Sequence, residues 1–212
     1  MSTATLILGQ SGTGKSTSLR NLDPSKTLLI QAIKKPLPFR SKEWQTMSKE
    51  NPQGSVFATD KPVNILSLME RTDREIIIID DFQYIMANEY MRRAQETGFN
   101  KFTEIGKGAW EIFTLASQLA DNKRVYILSH TQENDNGKTS IKTIGKMLDE
   151  KITLEGMVTV CLKTALINEQ YVFCTKNSGQ DTVKTPMGLF ESEHIENDLK
   201  LVDDAICEYW SK

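Results

Sequence analysis

The first strand of this chain runs straight into a glycine-rich loop, and few folds accept that arrangement. Residues 9 to 16 read Gly9-Gln10-Ser11-Gly12-Thr13-Gly14-Lys15-Ser16, a full match to G-x-x-x-x-G-K-[ST]. Before it lies Thr3-Ala4-Thr5-Leu6-Ile7-Leu8, apolar and β-branched enough for a buried strand. After it, Ser16-Thr17-Ser18-Leu19-Arg20-Asn21-Leu22 supplies the first turns of a helix. A strand, a glycine loop and a helix in that order aim backbone N–H groups and the helix's positive end at a polyphosphate. Gly9 through Thr17 then form the nucleotide cradle. Lys15 reaches the β- and γ-phosphates, and the Ser16 hydroxyl ligates Mg²⁺. ATP and Mg²⁺ are the expected cofactors.

The bulk numbers bound the rest. A chain of 212 residues fits one sizeable domain, here 1–212 with a C-terminal helix. A net charge of −2 means that any nucleic-acid surface is a local patch rather than a global field. Cys161, Cys174 and Cys207 are far apart and form no C-x-x-C pair, so reduced thiols and a cytoplasmic setting are expected rather than a zinc site. The first strand starts at residue 3, which leaves no room for a signal peptide. No apolar run is long enough to span a membrane.

Strand and helix patterns alternate along the chain, which predicts an α/β fold: a mostly parallel sheet flanked by helices. Residues 27–33 read as the second strand and 75–80 as the third, whose four isoleucines demand burial on both faces. A long helical stretch follows, ending near Asp121-Asn122. Residues 125–130 form a fourth strand. Residues 156–165 and 170–175 form two more, joined by a turn at Asn168-Glu169. Leu199, Val202, Ile206 and Trp210 have the spacing of an amphipathic helix.

The third strand ends in Asp80-Asp81. Four aliphatics before an aspartate form the Walker B pattern, which holds a carboxylate beside Mg²⁺ on a rigid strand edge. Asp80 is therefore the expected metal-side carboxylate. Asp81 has two readings: it polarises the attacking water, or it caps the following helix. The fourth strand ends in Ser129-His130-Thr131-Gln132, where ligands bind in open α/β sheets. His130 or Gln132 is placed there to sense the γ-phosphate, or His130 is simply a hydrogen-bonded strand end.

Three segments combine positive charge with the right location for nucleic acid. Residues 34–44 interleave four cations with Phe39 and Trp44, which either stack bases or anchor the loop to the core. Residues 86–107 carry Arg92, Arg93, Lys101 and Lys107. Residues 133–151 carry Lys138, Lys142 and Lys146 every four residues, the spacing of one helical face, beside a loop at 134–137. The acids of that segment balance its bases, so a solvated helix is the competing reading.

The order of phosphate loop, Asp80 strand and polar strand end resembles the RecA-type ATPase core. More closely, the chain is similar to small phage-encoded RecA-like ATPases of single-strand annealing and recombination. Residues 35–40 (KPLPFR), 81–89 (DFQYIMANE), 98–102 (GFNKF) and 184–190 (KTPMGLF) carry that likeness, spread over nearly the whole chain. The resemblance implies ATP binding, a homo-oligomer with the nucleotide between subunits, single-stranded DNA as partner and the host cytoplasm as setting. It also implies that residues 86–107 and 133–151 face DNA, and that Lys176, or Lys184 further along, reaches a neighbouring subunit's γ-phosphate. Two departures stand against it. RecA proteins place a glutamate after the second strand, where this chain has Gln31-Ala32-Ile33-Lys34-Lys35. They also carry an N-terminal polymerisation segment ahead of the phosphate-loop strand, which opens this chain, so a ring or another assembly stays open.

The expected function is thus an ATP-hydrolysing, single-stranded-DNA-binding protein of phage recombination or annealing. Two alternatives remain: a small P-loop nucleotide kinase, and a non-catalytic ATP switch that recruits a partner such as a single-strand-binding protein.

Overall fold

The computed structural model of the chain describes residues 1–134, 136–145 and 147–211. In chain order the strands are β1 (Thr3–Leu8), β2 (Thr27–Gln31), β3 (Val56–Ala58), β4 (Ile76–Asp80), β5 (Arg124–Ser129), β6 (Thr131–Glu133), β7 (Thr139–Ile141), β8 (Val160–Ile167), β9 (Gln170–Cys174) and β10 (His194–Glu196). The α-helices are α1 (Pro62–Arg71), α2 (Gln83–Arg92), α3 (Asn100–Ala116) and α4 (Leu199–Trp210). Eight strands form one sheet in the order β10-β9-β8-β1-β5-β4-β2-β3. The run from β8 to β3 is parallel, and β9 and β10 extend it antiparallel. The fold is therefore α/β, with a large, mostly parallel sheet flanked by helices.

The period of two along each strand divides the core into two layers. Leu6, Leu8, Leu28, Ile30, Ile77, Ile79, Val125 and Ile127 face α1, α2 and α3. Ile7, Leu29, Ile76, Ile78, Tyr126 and Leu128 face the other way, against Leu19, Leu22 and α4. The four isoleucines of β4 are buried on both faces, as a central parallel strand requires. Each such side chain contributes about 2 kcal/mol of transfer free energy. The strand ends carrying Gly9, Asp80 and Ser129 lie together on the carboxyl edge, where β5 separates β1 from β4.

Several sequence expectations need correction. The segment after the glycine loop is not an α-helix but a short 3₁₀ helix, Ser16–Asn21. Its three consecutive hydroxyl residues compete for the backbone; the Ser18 hydroxyl donates to the Lys15 carbonyl at 2.6 Å. The long helical stretch after β4 is two helices, broken at 93–99, where Gly98 takes φ +89°. The Lys101 ammonium bridges that break, donating to the carbonyls of Arg93 (3.3 Å) and Glu96 (2.7 Å). Lys138 and Lys142 do not share a helical face. Lys138 sits beside the turn of the β6–β7 hairpin and Lys142 just beyond it. Lys146 and Asp135 lie outside the described residues. The strand read at 156–165 begins at Val160, after a 3₁₀ turn at Leu154–Met157. The turn at Asn168-Glu169 is there, with both residues at positive φ (49° and 65°), as a two-residue hairpin needs.

One polar lock fixes α4 to the sheet. Asp203, buried, accepts from Arg124 Nε (2.7 Å), Arg124 Nη2 (3.2 Å) and the Tyr126 hydroxyl (2.6 Å). Removing one partner of such a pair strands a buried charge. Asp203→Ala is expected to lower unfolding stability by about 3 kcal/mol, read from the urea midpoint. A loss well under about 1 kcal/mol would show that the lock is dispensable.

Candidate functional site

The loop from Gly9 to Lys15 sits at the carboxyl end of β1, wedged between β5 and β8. Gly9 donates its N–H to the Ser129 carbonyl at 3.2 Å. A Cβ on Gly9 would lie 1.9 Å from Thr164 Oγ1, so only glycine lets the chain turn there. Gly14 takes φ +95°, also closed to side chains without strain. The Thr13 hydroxyl ties the loop down, donating to the Gln10 carbonyl (2.7 Å) and sharing a hydrogen bond with Thr164 (2.6 Å). Among the described residues, the N–H groups of Gly12, Thr13, Gly14 and Lys15 donate to no protein acceptor. A concave row of free N–H groups is an anion-binding nest. The helix behind it is too short to add much dipole, so the nest itself supplies the field.

Three side chains converge beneath the nest. Lys15 is buried and folds back on the loop, with Nζ donating to the carbonyls of Gly9 and Gln10, each at 2.8 Å. The Ser16 hydroxyl donates to both oxygens of Asp80, at 2.8 and 3.1 Å. Asp80 is fully buried at the end of β4 and also accepts the Asp81 N–H at 3.0 Å. Burial raises the Asp80 carboxyl to about 6, with the Asp81 charge adding to the rise and Ser16 and Lys35 opposing it. Burial lowers the Lys15 ammonium to about 8, against the pull of Asp80 and Asp81. Both groups are thus stored in unfavourable charge states that an added phosphate or cation would relieve.

Asp81 has φ +59°, rare for a residue with a side chain, and is buried. Its carboxylate pairs with the Lys35 ammonium and lies 3.8 Å from His130 Nε2. It does not cap the next helix; its carbonyl, not its carboxylate, receives a bond there, from the Tyr84 N–H at 2.9 Å. Burial works against the Lys35 ammonium, but the hydrogen bond to Asp81 and the charges of both aspartates leave its pKa raised. Burial, then the charge on Lys15, lower His130, which is therefore a neutral imidazole at neutral pH. Sequence reasoning placed Lys35 on a nucleic-acid loop and missed it here. It also missed Gln83, whose Oε1 accepts from the His130 N–H (3.2 Å) and the Ser129 hydroxyl (3.4 Å). The signal for Lys35 was its place just beyond a central strand, beside Asp81 in the fold. A cleft of about 490 Å³ opens over this group, lined by Gly14, Lys15, Ser16, Lys35, Asp81 and His130 among others.

The remaining candidates lie outside that cleft. Gln132 pairs with Ser140 across the β6–β7 hairpin. Lys176 donates to the Glu191 carbonyl at 2.9 Å, and Lys184 pairs through its backbone with Cys161. Arg92 binds Asp60 and Glu89, Arg93 binds Glu96 and Glu104, and Lys107 lies 3.5 Å from Glu111. Phe39 and Trp44 pack edge to face on each other and against the core rather than standing free. No group of three or more His, Cys, Asp or Glu converges to hold a metal among the described residues, and no described helix is long and apolar enough to cross a membrane. No protein-family model matches the chain, and no curated protein matches it in sequence.

The raised Asp80 carboxyl has a measurable consequence. Because its folded pKa exceeds the usual 3.8, the native state holds the extra proton between 3.8 and about 6, and stability falls as pH rises through that window. Lys15 acts in the opposite sense between about 8 and 10.5, where the unfolded chain holds the proton and stability rises with pH. Asp80→Asn is therefore expected to stabilise the metal- and nucleotide-free protein at pH 7 by about 2 kcal/mol, an advantage that disappears below about pH 4. Urea titrations in chelator at the two pH values measure it. Equal stability at pH 7 would contradict the buried-charge reading.

Proposed function

We propose that the chain is a P-loop ATPase with a RecA-type core, binding Mg·ATP at residues 9–17 and coupling turnover to single-stranded DNA. The observation that carries this is the meeting of a free N–H nest with Lys15, Ser16 and Asp80 at one sheet edge. The nest accepts phosphate oxygens, and Lys15 exchanges two loop carbonyls for the β- and γ-phosphates. The Ser16 hydroxyl and the Asp80 carboxylate are hard oxygen donors that suit Mg²⁺, which keeps several waters and needs few protein ligands. When bound, Mg²⁺ neutralises charge on the phosphates; the protein's own part is to hold Ser16 and Asp80 side by side at its site.

Asp81, just after β4, is the carboxylate placed to accept a proton from an attacking water, a role that the acid-free segment after β2 leaves open. Lys35 is a cation at the same place and restrains Asp81 until a γ-phosphate competes for it. His130 is neutral and within reach of Asp81, and the hairpin begins at the next residue, Thr131. The His130 carbonyl also accepts the Lys142 N–H at 2.8 Å. A change at the γ-phosphate thus has a short covalent and hydrogen-bonded route to the exposed Lys138 and Lys142, which suit DNA phosphates. Arg92 and Arg93, at the end of α2, are held in solvent-screened ion pairs that a phosphate backbone can displace. An assembly with nucleotide between subunits, bringing Lys176 from a neighbour, belongs to the same reading. A second reading, a nucleotide switch with negligible turnover, is favoured by the Lys35–Asp81 ion pair, which ties up the base.

The test is Mg·ATP hydrolysis with and without single-stranded DNA at two salt concentrations, on wild type and Asp81→Asn. The expected result is stimulation by DNA that fades with salt, and a loss of about 100-fold or more in Asp81→Asn with ATP still bound. Turnover indifferent to DNA would count against DNA coupling. Tight binding without turnover would establish the switch, and phosphoryl transfer to a nucleoside monophosphate would establish a kinase.

A further inference from the structure

A second cleft, about 720 Å³ in volume, opens beside the phosphate loop, between the 3₁₀ helix and the β9–β10 edge. Thr17 and Tyr171 line both this cleft and the one over Lys15, so the two are continuous. Nothing in the phosphate chemistry uses it. Its volume is within the range of small-molecule sites.

We propose that this second cleft holds the nucleoside half of the nucleotide, with the base stacked on Tyr171. The inference rests on the phosphate-site reading and extends it. Polarity comes first. Asp81, Lys35 and His130 mark the γ end of a bound triphosphate, because they surround the hydrolytic carboxylate. The nucleoside leaves the loop on the other side, past Thr17. There the Tyr171 ring lies against Gly14: a Cβ on Gly14 would be 3.2 Å from its Cδ1. Tyr171 is nevertheless 49% exposed, an aromatic face presented at the mouth of a phosphate cleft.

Asn197 supplies an independent sign. The residue is 2% exposed and lines the second cleft, and its Nδ2 has no hydrogen-bond partner among the described residues. Its Oδ1 lies 2.9 Å from the Cβ position of Gly14, so the unpaired amide is held directly against the phosphate loop. A buried N–H donor left unpaired is costly, and a small turn of the Asn197 side chain toward the cleft would let a ribose hydroxyl or ring nitrogen satisfy it. The cleft is built rather than accidental. Arg20 clamps its floor, donating to the Asn197 carbonyl (2.5 Å) and to Glu196 (3.0 Å), and Asn21 donates to Asp198 at 2.6 Å. Stacking on one tyrosine face recognises a planar base with little regard to its edge, so the site takes nucleoside triphosphates with modest base discrimination.

Calorimetry with Mg²⁺ and either ATP or inorganic tripolyphosphate separates the two halves. Wild type is expected to bind both, ATP more tightly. Tyr171→Ala should weaken ATP binding about tenfold, the scale of one lost base–aromatic stack, and leave tripolyphosphate unchanged. Tyr171→Phe should bind ATP as wild type does. Unchanged ATP affinity in Tyr171→Ala overturns the nucleoside site alone. Equal losses for both ligands also overturn it, since Tyr171 would then support the loop. Failure of wild type to bind either ligand overturns the phosphate site and this inference together.

Discussion

The hydroxyl of Ser16 makes the burial of Asp80 tolerable, and the site depends on that contact. Asp80 ends a strand whose other residues are isoleucines packed from both faces, so its carboxylate has no water to face. Ser16 comes from a different part of the chain and meets it only because β1 and β4 end on the same edge, with β5 between them. The contact links the glycine loop to the sheet; in the proposed function the same two oxygens face the cation. Its cost is the raised carboxyl, a local instability at the candidate site.

The other charges are arranged around that cost. Lys15 is desolvated and borrows two loop carbonyls as partners; phosphate oxygens are better ones. Lys35 holds Asp81, and the neutral His130 sits beside them with its backbone fixed by Gln83. Each contact within the cleft is thus between groups that a triphosphate would re-pair. The β6–β7 hairpin begins at the edge of that cleft, so in the proposed function such re-pairing lies next to it.

The strands were legible in the sequence because a parallel sheet buried on both faces needs unbroken runs of Ile, Leu and Val, and β1, β4 and β5 supply them. The Asn168-Glu169 turn was legible for the same local reason. The three-residue strands β3, β6, β7 and β10 carry too little pattern to read: β3 and β10 form on the free edges of β2 and β9, and β6 and β7 pair with each other as a separate hairpin. The lysine spacing at 138–142 suggested a helix, but two short antiparallel strands outcompeted it. At the site, the loop and Asp80 were written in the order of residues. Lys35, Gln83 and Tyr171 were not, because each meets its partners (Asp81, the end of β5 and Gly14) through sheet order rather than sequence spacing.

In the proposed function Lys15 exchanges the carbonyls of Gly9 and Gln10 for nucleotide phosphates. Mg·ATP binding to Lys15→Ala, measured by calorimetry on protein whose circular dichroism matches wild type, tests it most directly. Loss of detectable binding, with the fold intact, is the predicted result. Binding of Mg·ATP by the variant at wild-type affinity would contradict the account.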